Sequence, residues 1–437
     1  MDLRFVPHRF SLPRSFLSFL VSVATVLGAA SWSNRARAED PLNSSSGVKQ
    51  VELTPPSGES STEFNILPVV GGSSDIGIGA GFFAGLARIK PGYEPFLWNL
   101  QSASLFTFKL EGGGITLPYQ DFSLKLTVPR LFGEPIRMEI LGAYTWETTL
   151  RYNGIGNASQ MRMPAGAGED YDRYKRLHPQ IDISFRVRLV DHVALRFGGR
   201  YVQNWIDIPE RSRIRDDLAS GDHDLVRLIG STADHAVILG KLGLEWDNRD
   251  NEVSPHSGFY HTADVRLSPG RSTFLPFPYA EVSVIGRAYI PIWKPRITLA
   301  LRAVGNVMIG DPPFYELYRY DDVNAIGGST GLRGVAAQRF YGKVKLFGNA
   351  ELRTELFDFH AFGKKMIFGV AAFFDGGRVF ADTAFRPQLD GRTAGMKYGT
   401  GGGLRVQSGS SFVVRADAAW SPDADPIGLY VSAGQAF

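Results

Sequence analysis

Ile181-Asp-Ile-Ser-Phe-Arg-Val-Arg-Leu189 alternates without a break: every odd position is apolar, and Asp182, Ser184, Arg186 and Arg188 occupy the even ones. A period of two places the two sets on opposite faces of a β-strand. Phe122-Ser-Leu-Lys-Leu-Thr-Val128 repeats the pattern. Between Met396 and Gln407 the apolar face is Met396, Tyr398, Leu404 and Val406, and the other carries Lys397, glycines, Arg405 and Gln407. No segment of similar length has a helical period. The fold class read from this pattern is all-β.

Alternation arises in two settings. A soluble sandwich turns its apolar face inward, whereas an outer-membrane barrel turns it to lipid and keeps a polar lumen. Here the strands reach the roughly 9–11 residues that a tilted membrane strand needs, and charges recur at every second position. The reading is therefore a 16-stranded antiparallel transmembrane β-barrel. Its strands are placed near 64–70, 76–88, 98–110, 114–128, 135–148, 177–189, 192–206, 233–246, 258–268, 278–290, 296–308, 344–357, 365–380, 395–407, 411–420 and 427–437. An even count closes the sheet and leaves no edge in lipid. With both termini periplasmic, the three longest loops (149–176, 207–232 and 309–343) follow strands five, seven and eleven, all on the outer side. Trp98, Trp146, Trp205, Trp246, Trp293 and Trp420 fall near strand ends, as interfacial girdles require.

The first 38 residues read as a signal peptide: Arg4, His8, Arg9 and Arg14 precede an apolar run from Phe16 to Ala30, and Ala36-Arg37-Ala38 gives the cleavage site. The full chain has 47 basic and 44 acidic residues, and the leader holds five arginines and one aspartate. Residues 39–437 thus carry 42 basic and 43 acidic side chains, a balance that gives no support to nucleic-acid binding. The chain has no cysteine, which excludes disulfides and thiolate chemistry. Residues 39–63 are rich in Ser, Pro, Thr and Gly and read as a flexible periplasmic linker. The barrel is assigned to 64–437.

One polar stretch stands apart. Ile326-Gly-Gly-Ser-Thr-Gly-Leu-Arg333-Gly-Val335 places a single arginine among glycines within the long loop 309–343. Glycine lets backbone approach closely, so the loop can fold into a confined space. Leu332-Arg333-Gly334, Asn349-Ala-Glu351-Leu-Arg353 and Phe373-Phe-Asp375-Gly-Gly-Arg-Val-Phe380 resemble motifs of the BamA/TamA/TpsB superfamily, the bacterial surface antigen family. So do Glu245-Trp-Asp247-Asn-Arg249-Asp250 with Ser254-Pro255 and Gly258, Leu67-Pro-Val-Val-Gly71 with Gly77-Ile-Gly79, and Tyr152-Asn-Gly-Ile-Gly156-Asn157. The resemblance implies a sixth extracellular loop inserted into the lumen, with the loop arginine paired to acids on strands twelve and thirteen. Parity agrees: Glu351 shares a face with Lys345, Asn349, Arg353 and Glu355, and Asp375 lies opposite Phe368, Val370 and Phe374. Leu332, Arg333 and Gly334 are thus expected to form a structural lock with Asp375, Glu351 or both, since a buried guanidinium needs carboxylates. Asp247, Arg249 and Asp250 are expected in a hydrogen-bonded periplasmic turn. Phe437, on one face of the last strand with Leu429, Val431 and Ala433, is expected to serve as a C-terminal assembly signal.

The sequence departs from the family where Val335 replaces the usual aromatic after Arg-Gly, and at Gln435 in the terminal signal. The 25-residue linker has no room for the POTRA modules of the assembly factors, which points to a compact member. No catalytic residue, cofactor or metal is expected. Gly327-Gly-Ser329-Thr-Gly331 matches the nucleophile-elbow pattern but lacks the strand-to-helix context. The eight histidines show no metal-ligand spacing. Asp216, Asp217, Asp222, His223, Asp224, Asp234 and His235 read as a solvated acidic loop.

The expected function is non-enzymatic assistance to insertion or export of proteins at the bacterial outer membrane. The expected partners are outer-membrane lipid, the barrel assembly machinery for the protein's own insertion, client proteins and a separate periplasmic partner. The alternative is a passive pore or a surface-exposed structural barrel. A short first strand, 64–70, broken by Pro68 predicts a weak seam against the last strand.

Overall fold

Alternating side chains need a surface on which both faces are satisfied, and the chain obtains it by closing one sheet on itself. The computed structural model describes residues 60–437 except 112, 271, 294–295, 322, 362–363, 409–411 and 424–426. The assigned signal peptide and the linker up to residue 59 lie outside the described residues. The strands are β1 (Ser61–Ser73), β2 (Gly77–Lys90), β3 (Tyr93–Glu111), β4 (Tyr119–Val128, led by Gly114–Thr116), β5 (Ile136–Arg151) and β6 (Gln180–Val190, led by Arg173–Leu177). They continue as β7 (Val193–Asp207), β8 (His235–Asp247), β9 (Gly258–Ser268), β10 (Tyr279–Trp293), β11 (Ile297–Gly310), β12 (Val344–Ala361) and β13 (Lys364–Phe380). The last are β14 (Lys397–Ser408), β15 (Phe412–Trp420) and β16 (Gly428–Ala433). Each pairs antiparallel with its sequence neighbour, and β1 returns to β16, so sixteen strands close the barrel.

Burial separates the two settings left open by alternation. Ile181 and Ile183 are 47% and 39% exposed, whereas Asp182 between them is 6% exposed. The apolar row faces out and the polar row faces in, which is the arrangement of a membrane barrel. On β12, Lys345, Asn349, Glu351 and Arg353 are buried while Leu346, Leu352 and Leu356 are exposed. Inside, the charges pair across strands: Arg186 with Glu245 at 2.6 Å, Arg200 with Asp182 at 2.8 Å and Arg196 with Asp264 at 2.5 Å.

The first strand corrects an expectation. It is thirteen residues long and begins at Ser61, so the last three residues assigned to the linker belong to the barrel.

The acidic stretch after β7 keeps Asp216, Asp222, His223 and Asp234 exposed, but it is not a plain loop. It forms two short helices, α1 (Arg213–Ala219) and α2 (His223–Ile229), each with a side-chain cap from Ser212 or Asp222. Asp216 accepts from Tyr171 Oη and Asp217 from Tyr152 Oη, both at 2.8 Å. His235 is buried at the start of β8. Ile214, Leu228 and Ile229 join Tyr152, Tyr174, Phe314, Tyr315, Tyr318 and Tyr341 in one buried cluster drawn from the long loops after β5, β7 and β11 and from adjoining strand ends. Apolar burial of this kind contributes about 25 cal/mol per Å². It gives that end of the barrel a core of its own.

At the opposite end, the turn between β8 and β9 is hydrogen-bonded throughout. Arg249 forks onto both oxygens of Asp247 at 2.8 and 2.7 Å, and Asp250 Oδ1 accepts from the backbone of His256 and Ser257. His256 Nε2 meets Glu355 Oε1 on β12 at 2.8 Å. That hydrogen bond, with the charges of Glu355 and Asp250 and against burial and Arg353, holds the imidazole above its ordinary value of 6.5. A raised folded-state value stabilises the barrel fully below pH 6.5 and ceases to do so as pH climbs past it. The pair is a quarter exposed, so the effect is less than about 1 kcal/mol. Thermal melts of wild type and His256→Gln are expected to differ at pH 5.5 and to converge by pH 8.5. A constant difference would remove the linkage.

Candidate functional site

The 311–343 segment runs from β11 to β12 and carries a 3-10 turn (Phe314–Glu316) and a two-stranded hairpin, Arg319–Tyr320 with Val323–Asn324. Beyond the hairpin its glycine-rich tip meets the inward faces of β12 to β15. Gly334 has φ +91°, and a Cβ there would stand 2.8 Å from the carbonyl carbon of Trp420. A Cβ at Gly399 on β14 would stand 1.9 Å from the carbonyl oxygen of Arg333. Backbone lies directly on backbone, and only glycine leaves that room.

The contact brings Arg333 to three carboxylates. Its Nε and Nη2 reach Asp375 Oδ2 and Oδ1 at 2.8 and 3.0 Å, and its backbone N–H donates to the same Oδ2 at 3.0 Å. Nη1 reaches Glu351 Oε2 at 2.7 Å and Asp417 Oδ2 at 3.5 Å. The guanidinium carbon lies 3.4 Å from the centre of the Phe373 ring. Arg353 and Arg405 also meet Glu351, and Arg405 and Arg415 meet Asp417. Four cations and three anions share one buried network, in which each carboxylate group is shared or forked. Asp375 has no cation other than Arg333 among the described residues.

The tip also touches both sides of the barrel closure. Gly334 N donates to Tyr430 Oη on β16 at 3.1 Å, and Ala337 N donates to Asp75 Oδ1, after β1, at 3.2 Å. The closure itself is small. β1 pairs with β2 over thirteen residues but with β16 over two, Gly72 with Val431 and Ser73 with Tyr430. A further bond joins Ser74 N to Leu429 O at 3.0 Å. Phe82, opposite Pro68, directs its N–H to Ser104 on β3. Pro68, which has no N–H, therefore turns its nitrogen to the free edge of β1.

A sequence profile of the Omp85 superfamily domain matches residues 106–437. The chain belongs to the Omp85 superfamily. Membership places this barrel in the bacterial outer membrane. The Omp85 fold is shared with the crystal structure of BamA from Haemophilus ducreyi lacking POTRA domains 1–3, at TM-score 0.57 and 15% identity, over 86% of this chain and 70% of that one. CdiB from Escherichia coli matches at TM-score 0.54 and 12% identity, over 87% of this chain; the alignment spans 63% of CdiB. A comparison with curated protein sequences gives no match.

Within this Omp85 barrel, three of the residues singled out from the sequence, Arg333, Glu351 and Asp375, are brought together; Leu332 is buried beside them and Gly334 forms the close approach. Asp247, Arg249 and Asp250 lie apart from them, in the β8–β9 turn, at least three strands before β12. The placement of Phe437 is a correction. It does not extend the outward row of the last strand, because β16 ends at Ala433 and Gly434 turns the chain at φ +82°. Its ring faces the inward cations Arg302 and Arg353 at 4.9 and 5.3 Å, and its backbone oxygen accepts from Arg353 at 3.1 Å. Two guanidinium groups over one ring outweigh a lipid-facing position for the side chain. Asp417, Arg415, Tyr430 and Asp75 are site residues that sequence reading passed over. The period of two in Val413, Arg415, Asp417 and Ala419 is the signal that would have found the first two.

Proposed function

We propose that this barrel assists the insertion or export of other polypeptides at the outer membrane, with the open edge of β1 as the pairing surface and no bond-making chemistry. The small closure carries the reading. Residues 61–71 of β1 have no partner from β16 among the described residues, and an unpaired strand edge is a template for an incoming strand. Net backbone hydrogen bonds contribute about 1 kcal/mol each, so the two-pair closure is held by little more than a few kcal/mol. A client strand that pairs along all of β1 offers more than it displaces. The loop tip, bonded to Tyr430 on one side and Asp75 on the other, acts as a staple across the seam. Arg333 with Asp375 and Glu351 is the lock that holds the staple in place. A separate periplasmic partner delivers the client, and lipid surrounds the barrel.

The passive-pore alternative is less well supported, because the buried aromatic cluster occupies the end where the long loops meet. Liposomes carrying the folded protein are expected to speed the folding of an unfolded outer-membrane barrel relative to liposomes carrying a β-barrel of another family. Equal rates across several clients would defeat the proposal.

A further inference from the structure

Above the strand ends, on the side of the long loops, the segments after β5, β11, β13 and β15 line an open cleft of about 540 Å³. That is the size of a small-molecule site, within the range of roughly 300–1,000 Å³. Its lining is polar, and one cation in it is uncompensated. Arg339 is 4% exposed, yet its guanidinium meets no carboxylate: Nη1 donates to Ser159 Oγ at 3.1 Å and Nη2 to Ser159 O at 2.8 Å, and its carbon lies 4.3 Å from the centre of the Phe340 ring. Its Nε has no partner, and no carboxylate among the described residues reaches ion-pair distance. Burial, with Arg213 nearby, pushes this guanidinium down to about 10, against only a partial offset from Asp423.

The other charges of the cleft are already answered. Lys397 pairs with Asp423 at 3.0 Å. Asp390 accepts from the backbone N–H groups of Ala381 and Arg386 at 2.7 and 2.8 Å. Behind the cleft, Arg378 donates to the backbone oxygens of Asp390, Thr393 and Ala394. The charge left without a counter-ion in the cleft is thus cationic, and a guanidinium suits phosphate oxygens. Gln160 and Thr393 add polar side chains along the wall beside the apolar Met161, and the Asn157 amide is spent on Gly395 O and Val379 N.

We infer that this cleft binds the phosphate group of a phosphorylated saccharide, with Arg339 as its anion ligand and Lys397 as a second cation at the rim. A soluble sugar phosphate and the headgroup of a phosphorylated glycolipid share this chemistry. The site does not depend on the function proposed above.

The test is calorimetric titration of the folded protein in detergent with glucose 1-phosphate, inorganic phosphate and glucose. Glucose 1-phosphate is expected to bind more tightly than inorganic phosphate, and glucose to give no heat. Charge-assisted hydrogen bonds of this kind make Arg339→Gln weaker by about tenfold or more. Lys397→Gln, which leaves the buried arginine untouched, is expected to weaken binding by a smaller factor and serves if Arg339→Gln fails to fold. Competition by micelles of monophosphoryl lipid A names the lipid as the source; no competition names the soluble sugar. Either result sustains the inference. It is overturned if glucose binds as well as its phosphate, if inorganic phosphate binds as well as the sugar phosphate, if both variants bind like wild type, or if millimolar glucose 1-phosphate gives no heat.

Discussion

Arg333→Ala is expected to destabilise the barrel by about 3–5 kcal/mol, the usual consequence of stranding a buried charge. The loss concentrates at one residue. Glu351 keeps Arg353 and Arg405, and Asp417 keeps Arg405 and Arg415. Asp375, fully buried, loses both arms of its fork and keeps only the backbone N–H of residue 333. Arg333→Lys preserves the charge but cannot hold two oxygens in one plane, so it falls between alanine and wild type. The double variant Arg333→Ala/Asp375→Ala removes charge and countercharge together and is expected to recover a large part of the loss. Urea midpoints of the reconstituted barrel measure the series, and limited proteolysis within 311–343 reports release of the loop. A midpoint for Arg333→Ala equal to wild type, with the loop equally protected, would mean that the buried fork holds nothing.

The barrel was legible because its signal is repeated. Ile181 to Leu189 alone could belong to any sheet, but sixteen such segments with long connections on one side have few other solutions. Parity also reached part of the site, since Glu351 and Asp375 sit on faces opposite Leu352 and Phe374. What it could not reach depended on where the loop travels. Tyr430 and Asp75 meet the tip only because the chain crosses the seam, and no pattern in either strand records that path. The helices at 213–229 are seven residues each, under or about two turns, and nothing in their acids records that Tyr171 and Tyr152 hold Asp216 and Asp217. Ser61-Thr62-Glu63 continued the polar composition of the linker, so the start of β1 was set too late. Phe437 had the parity of an outward residue, but parity fails once Gly434 breaks the strand.

A covalent joint between β1 and β16 is expected to abolish client assistance without unfolding the barrel. Ser74 and Leu429 are backbone partners across the closure, and the chain contains no cysteine to compete. The variant Ser74→Cys/Leu429→Cys therefore offers one disulfide at one place. Oxidised, it fixes the two strands and denies an incoming chain the means of parting them, while the Arg333 network and the loop-end cluster are untouched. Reduced, it restores the native seam. The decisive measurement is the folding rate of an unfolded outer-membrane barrel on liposomes carrying this variant, before and after dithiothreitol. The account predicts acceleration in the reduced state and a loss of about tenfold or more in the oxidised state, some 1.4 kcal/mol in the barrier. Equal acceleration in both states, with the crosslink complete on a gel, would contradict a role for the seam.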